Sequence, residues 1–425
     1  MVIFRENKEE GISEQQALEA VREFFATHDY AGKRLLVLVP DNTRSGPIGD
    51  VFQMIFDCIG GQAAALDILV ALGTHQPMSE EQICQRLAIL LEERKAKYRK
   101  VKFFNHEWEK PDTFTNLGTI SADEIGEISG GLFHEEVPIA INKKIFDYDE
   151  FFILGPVFPH EVVGFSGGHK YVFPGIAADE IIHFFHWLGA VITNPKINGT
   201  PWTPTRAVVE RAAEFIDMPR KLFAVVAANN QFKGIYIGEV KETWEKAADM
   251  SDRVHITYTD RTYHTVLGVT PAMYDDLWVG GKVMYKLEPV LADGGTLIIY
   301  APHIMEVSYT HGKALDQIGY HTRDYFLNRT DEFPGIGRGV IAHSTHVKGI
   351  GTYKDGIEKP RVNVILATGI TKDRCEKINL GHMDPAQINI ADYEGRESEG
   401  VLVVHHAGEQ LYRLSSGEIP DIDKL

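Results

Sequence analysis

The chain has 425 residues, 44% of them apolar, a length at which one hydrophobic core gives way to two domains. Against 43 Lys and Arg stand 60 Asp and Glu, and the resulting formal net charge of -17 repels phosphate backbones and anionic lipid, so nucleic-acid and membrane-surface roles are disfavoured. Three widely separated cysteines, Cys58, Cys84 and Cys375, build neither a disulfide framework nor a zinc site, and the first ten residues lack an apolar signal core, so a reducing, cytoplasmic setting is expected.

After a short extended start, Ser13 and Gln16 form a capping-box pattern ahead of an amphipathic helix with Leu18, Val21, Phe24 and Phe25 on one face. The run 34–39, Arg-Leu-Leu-Val-Leu-Val, is apolar without alternation, as a strand buried on both faces should be, and it stops at Pro40-Asp41. A second such strand, 66–72, ends at Gly73-Thr74-His75-Gln76-Pro77, after which Ser79 and Gln82 cap another helix. Apolar segments at 101–104, 151–155 and 222–227 alternate with helical stretches. The polar segment 247–261 shows no core pattern and reads as the domain connection. Beyond it come a strand at 263–269, a helix at 282–291, a turn at Asp293-Gly294-Gly295 and a strand at 296–301. Strands at 362–367 and 401–405 belong to this second half or return to the first. The expected fold is α/β: two α/β domains, 1–255 and 256–425, with mainly parallel sheets flanking an interdomain active-site cleft.

Ligands of open α/β sheets gather outside the carboxyl ends of strands, and four polar clusters occupy or adjoin such ends. Asp41-Asn42-Thr43-Arg44-Ser45-Gly46-Pro47 brings a carboxylate, a guanidinium and hydroxyls into one turn, or is simply a turn with a helix cap. Gly73-Thr74-His75 and Pro159-His160-Glu161 each present an imidazole, a residue that taken alone is more often structural than catalytic. The fourth cluster is Gly164-Phe165-Ser166-Gly167-Gly168-His169-Lys170-Tyr171-Val172-Phe173-Pro174-Gly175. Its glycines let backbone approach a bound group, and its lysine can meet an anion or form a covalent bond. A nucleotide P-loop is rejected, because His169 precedes Lys170 where glycine belongs and Tyr171 follows it where Ser or Thr should hold magnesium. His183 and His186 lie three apart on an expected helix opened by Asp179, a spacing equally suited to a shared metal or to a packed pair.

In this order the clusters resemble the nickel-pincer-dependent lactate racemase family, the 2-hydroxy acid racemases and epimerases. The shared pattern runs from Asp41 to His186 and includes Asn105-His106-Glu107 and Leu117-Gly118-Thr119 besides the clusters above. The resemblance implies a nickel-pincer nucleotide, a pyridinium-3-thioamide-5-thiocarboxylic acid mononucleotide, joined covalently to Lys170. It implies Thr43, Ser166, Gly167 and Gly168 beside that group and His186 as the protein's nickel ligand, a donor set of soft sulfurs plus imidazole that suits Ni(II). His75 and His160 match the family's paired acid/base residues, which hold the hydroxyl proton as C2 hydride leaves to the cofactor and returns to the other face. Arg44 matches a residue that grips the substrate carboxylate, Asp41 is placed to orient Arg44 or a histidine, and Lys282 is matched to a lysine reaching the substrate from the second domain. Enzymes that mature the cofactor are the implied partners.

The family's Tyr-Gln-x-x-Lys arrangement appears here as Trp278-Val279-Gly280-Gly281-Lys282, which loses an amide and, through two glycines, bulk. That change favours a substrate larger than lactate, such as a sugar acid. Two other classes stay open on the residues alone: a metal-dependent hydrolase or lyase using His75, His160, His183 and His186, and a carboxylate-binding protein.

Overall fold

A computed structural model describes residues 1–425 apart from the side chain of Thr330. The chain forms two compact units. The first comprises Met1–Phe158, Phe165–Ile182 and Arg206–Val254, and the second Pro159–Gly164, His183–Thr205 and His255–Leu425. The chain changes unit near residue 255 and also at two earlier excursions that carry no linker composition.

The first unit is built on a seven-stranded sheet in the order Ile3–Glu6, Gln231–Gly238, Arg220–Ala228, Glu150–Pro156, Arg34–Pro40, Ala65–Ala71, Phe103–Asn105. The last five strands run parallel, and the first two are antiparallel additions at one edge. Residues 35–39 are completely buried, as their unbroken apolar run requires. Leu35, Val37 and Val39 pack with the helices Glu14–Ala26 and Ile48–Ile59, while Leu36 and Leu38 are buried on the opposite face. Ser13 caps the first helix: its hydroxyl accepts the Gln16 amide at 3.2 Å and the Gln16 side chain accepts the Ser13 amide at 2.9 Å. Ala17, Ala20, Val21 and Phe24 form its buried stripe, with Phe24 edge-on to Phe223.

The segment 247–261 is not a bare connection. It contains the second half of a helix, Val240–His255, followed by a strand, Ile256–Thr259. The helix buries Trp244, Ala247, Ala248, Ser251 and His255, a stripe at helical spacing made largely of small and polar residues, so apolar periodicity understated it.

In the second unit a five-stranded, wholly parallel sheet has the order Gly381–His382, Asn363–Thr368, Leu291–Ala301, Tyr263–Val269, Val401–Val404. The C-terminal segment does not return to the first unit: its strand Leu411–Leu414 pairs in parallel with Ile256–Thr259. The helix expected at 282–291 is shorter, Lys282–Leu287, with Pro289 in the following 3-10 turn Glu288–Val290. The Asp293-Gly294-Gly295 turn is absorbed into the strand Leu291–Ala301, where pairing to the neighbouring strand slips. Among the described residues no helix is long and apolar enough to cross a membrane, and all three cysteines are free thiols.

The Ser13 cap gives a direct test of the first helix. Ser13→Ala should lower the stability of the first unit by about 1 kcal/mol, read as a shift in its urea midpoint at unchanged slope.

Candidate active site

Because five strands of the first sheet run parallel, the loops after Pro40, Ala71 and Pro156 all leave from one edge. Pro40 stands opposite Ala71 in the register, so Asp41 and the turn carrying His75 emerge side by side. The Asp41 carboxylate is nearly sealed from solvent, with 7% exposure. Its Oδ2 lies 2.5 Å from His75 Nδ1, and its Oδ1 accepts the Thr43 hydroxyl at 2.6 Å and the Thr43 amide at 3.1 Å. Burial alone would raise this carboxyl's pKa, but the charge and hydrogen bond of His75, the nearby Arg44 guanidinium and Thr43 outweigh it and hold the group well below the usual carboxylate range.

The sequence left Asp41 to orient either Arg44 or a histidine, and the contact made is with His75. An ionised carboxylate only accepts, so His75 carries a proton on Nδ1 and presents Nε2 to a ligand. With 39% of its side chain exposed, the ring can be reached. Trp108 Nε1 donates to the His75 carbonyl at 2.9 Å and the Gly73 amide to the Gly175 carbonyl at 2.9 Å, which ties the histidine turn to the end of the glycine-rich segment. Arg44, half-buried, stands 6.0 Å from the Phe158 ring and close enough to Asp41 and Tyr171 to act on both by charge.

In the glycine turn, Gly167 and Gly168 have φ of 84° and 60°. A Cβ on Gly167 would stand 2.5 Å from Val157 Cγ2, so both conformation and packing demand glycine there. The Ser166 hydroxyl is occupied inside the turn, accepting the Phe158 amide at 3.0 Å and donating to the Pro156 carbonyl at 3.3 Å. Lys170 follows half-buried in the short turn Gly168–Tyr171, its amide donating to the Gly167 carbonyl at 3.3 Å. His106 is a core residue: its ring lies between Asn142 Nδ2 at 3.1 Å and the Ala177 carbonyl at 3.3 Å, and burial pushes its pKa down to about 4.

The second unit carries the remaining expected residues. His160 is buried, and its Nδ1 accepts the Val162 amide at 3.1 Å. Glu161 Oε2 is 3.4 Å from the same nitrogen, but the amide is nearer and can only donate, so Nδ1 keeps its lone pair and Nε2 bears the proton. His75 and His160 therefore rest as opposite tautomers at Nε2, one an acceptor and the other a donor. His183 and His186 lie on the helix Asp179–Ile192. His183 accepts the Gly339 amide at 3.2 Å and packs on Gly337, whereas the half-buried His186 stacks on Phe185 with centroids 4.5 Å apart. Lys282 opens the helix Lys282–Leu287, its ammonium 5.0 Å from the Tyr274 ring.

The substrate space expected from Gly280 and Gly281 is not there. Gly280 and Gly281 do not release space: a Cβ on Gly280 would come 2.9 Å from Ile304, and one on Gly281 2.7 Å from Val347 and 3.1 Å from the Tyr285 hydroxyl. Protein side chains already fill the volume that the glycines vacate. Trp278, by contrast, stacks on His343 at 4.0 Å, and that imidazole is buried with Nδ1 2.7 Å from the Tyr285 hydroxyl and Nε2 3.3 Å from that of Tyr320. Sequence reading missed this cluster, whose members are scattered from 278 to 343 without a motif.

The pattern defining the lactate racemase N-terminal domain matches residues 5–198, the stretch that contains every cluster from Asp41 to His186. Residues 5–198 carry the N-terminal domain of the lactate racemase family. The chain is 24% identical over 281 residues to the lactate racemase of Thermoanaerobacterium thermosaccharolyticum, a match covering 63% of this chain and 60% of that protein's length. The crystal structure of a protein from Thermotoga maritima is 33% identical, with TM-score 0.88 over 97% of this chain and 100% of that one. The lactate racemase apoprotein from Thermoanaerobacterium thermosaccharolyticum shares the fold, with TM-score 0.69 and 15% identity over 97% of this chain and 94% of that one. The α/β class with mainly parallel sheets is thus common to this chain and a lactate racemase fold.

The Asp41 pairing predicts an acid-sensitive contribution to stability. A depressed carboxyl pKa adds stability that is present above the unfolded value of about 3.9 and is lost as pH falls through the folded value. Asp41→Asn should therefore be less stable than the parent at neutral pH, and the difference between their urea midpoints should shrink as the pH is taken below about 4. A difference constant across that range would contradict the pairing of Asp41 with His75.

Proposed function

We propose that the chain inverts the configuration at C2 of a 2-hydroxy acid, as a racemase or epimerase. The observation that carries this reading is the Asp41-held imidazole of His75, with Nε2 turned outward at the edge that also bears Arg44 and Lys170, in a chain carrying the lactate racemase N-terminal domain. Inversion requires that the hydroxyl proton be removable whichever face of C2 is presented, and the imidazoles of His75 and His160 are assigned to that task as a pair. His75 Nε2 takes the hydroxyl proton, with Asp41 stabilising the imidazolium that results, while the Nε2–H of neutral His160 gives the substrate oxygen a hydrogen bond; His160 returns a proton only from its own imidazolium form. Arg44 is assigned to the substrate carboxylate through its guanidinium fork, and Lys282 adds a second positive charge for the same anion.

The residues fit the cofactor that the family implies. Lys170 offers an amine next to glycines that can carry no side chain, Thr43 lies in the adjoining turn, and a group that brings its own sulfur donors needs only one imidazole, here His186. Bound to Lys170, the nickel-pincer nucleotide supplies a reversible acceptor for the C2 hydride. Ser166, Gly167 and Gly168 support it by shaping the turn, since the Ser166 hydroxyl is already engaged within the loop. The enzymes that make the cofactor are the proposed partners, and protein produced without them is expected to be inactive.

For the substrate we favour a 2-hydroxy acid other than lactate, with an aldonate as the candidate. The support is Val279, which puts an isopropyl group where the family pattern has an amide and so removes a hydrogen-bonding group from that position.

Protein co-produced with the cofactor-making enzymes should gain mass on Lys170 and interconvert the C2 epimers of an aldonate such as gluconate faster than the lactate enantiomers. Lys170→Ala should abolish both mass gain and inversion. Removing either His75 or His160 should lower kcat by about 10²- to 10⁴-fold in the loaded enzyme, followed by chiral chromatography. Activity from protein with unmodified Lys170 would overturn the cofactor assignment, preference for lactate would overturn the aldonate candidate, and a loaded but inert protein would overturn the activity.

A further inference from the structure

Beneath the glycine turn of the first unit lies a buried charged network to which the reaction assigns no part. Arg206, on the helix Pro204–Ala213, is fully buried, as is Trp244 on the helix Val240–His255. These two side chains hold three successive carbonyls of the turn: Arg206 Nη2 donates to Phe165 O, Trp244 Nε1 to Ser166 O at 2.8 Å, and Arg206 Nη1 to Gly167 O at 3.4 Å. The guanidinium carbon sits 4.1 Å from the indole ring, and a Cβ on Gly168 would come within 3.2 Å of the same indole. Glu210 accepts from Arg206 Nη1 at 3.3 Å and from His169 Nδ1 at 2.7 Å. Arg220 Nε donates to His169 Nε2 at 3.0 Å, which fixes His169 as the tautomer with its proton on Nδ1. Every residue from Phe165 to His169 is thereby tied down, by carbonyl, ring or packing, immediately before Lys170.

A buried cation is a poor device for stability alone, since apolar residues of similar volume often do as well or better. What a guanidinium offers and they do not is a rigid fork that takes two carbonyls of one loop at a set separation. A turn containing two consecutive glycines of positive φ has wide conformational freedom unless something external restricts it. We propose that Arg206, with Trp244 and Glu210, is a positioning residue for Lys170, locking the glycine turn so that the amine is presented in one place for covalent attachment. The inference rests on the reading of Lys170 as the tethering residue.

The test uses Arg206→Lys, Arg206→Met and Trp244→Phe in the full chain, the last keeping an aromatic ring but losing the donor, so that a fold failure of an Arg206 variant does not decide the matter. Amide hydrogen exchange of the peptide covering 165–171 should rise about tenfold in each folded variant while peptides elsewhere stay at parent rates. On co-production with the cofactor-making enzymes, the fraction of chains carrying added mass on Lys170 should fall about tenfold, with Arg206→Lys retaining more than Arg206→Met. Unchanged exchange at 165–171, or raised exchange with an unchanged adduct fraction, would overturn the proposal. If the parent itself gains no mass, the tethering reading fails. Acylation of apo-protein by a succinimidyl ester then decides the positioning: a changed rate confined to Lys170 supports it, and parent-like labelling overturns it.

Discussion

A carboxylate sealed from water at the end of a buried strand must be paired, because an unpaired charge in that position is strongly destabilising. Asp41 is such a group, and the partner that satisfies it is an imidazole delivered by the neighbouring parallel strand. The same hydrogen bond settles which nitrogen of His75 carries a proton and how the ring is aimed. Packing of the strand end and chemistry of the site are therefore one interaction, and Thr43 completes it by filling the second oxygen of Asp41.

Histidines that look alike in sequence are separated by what each ring nitrogen meets. His75 meets a carboxylate and His160 a backbone amide, which leaves them in opposite tautomers. His106 meets an asparagine and a carbonyl in the core, His169 a glutamate and an arginine beneath the glycine turn, and His343 two tyrosine hydroxyls under Trp278. The last three are buried, and burial drives the pKa of each downward, so they stay neutral and act as fixed hydrogen-bonding spacers.

The glycines divide in the same way. Gly167 and Gly168 are glycine because positive φ and the proximity of Val157 and Trp244 leave no alternative. Gly280 and Gly281 look equally permissive in sequence, yet their missing side chains admit Ile304, Val347 and Tyr285 and open nothing to solvent. A small residue implies space for a ligand only when no other part of the chain has already entered that space.

Local interactions were legible from the chain alone. The unbroken apolar run at 34–39, the capping boxes at Ser13 and Ser79 and the strand at 263–269 depend on periodicity and short-range hydrogen bonds, and each stands where the pattern put it. The ordered clusters from Asp41 to His186 likewise carried the family, since each is a contiguous motif. Features that arise only when distant segments meet were not legible. The helix Val240–His255 buries small and polar residues whose neighbours decide their burial, Arg206 reads as a surface charge until it is found under a loop 40 residues earlier, and Asp41 finds His75 only because two strands run parallel in one register. Sequence determined the elements and the chemical inventory, because those follow from neighbouring residues. Tertiary structure alone decided which inventory members touch, because hydrogen bonding and burial depend on distance in space and not on separation along the chain.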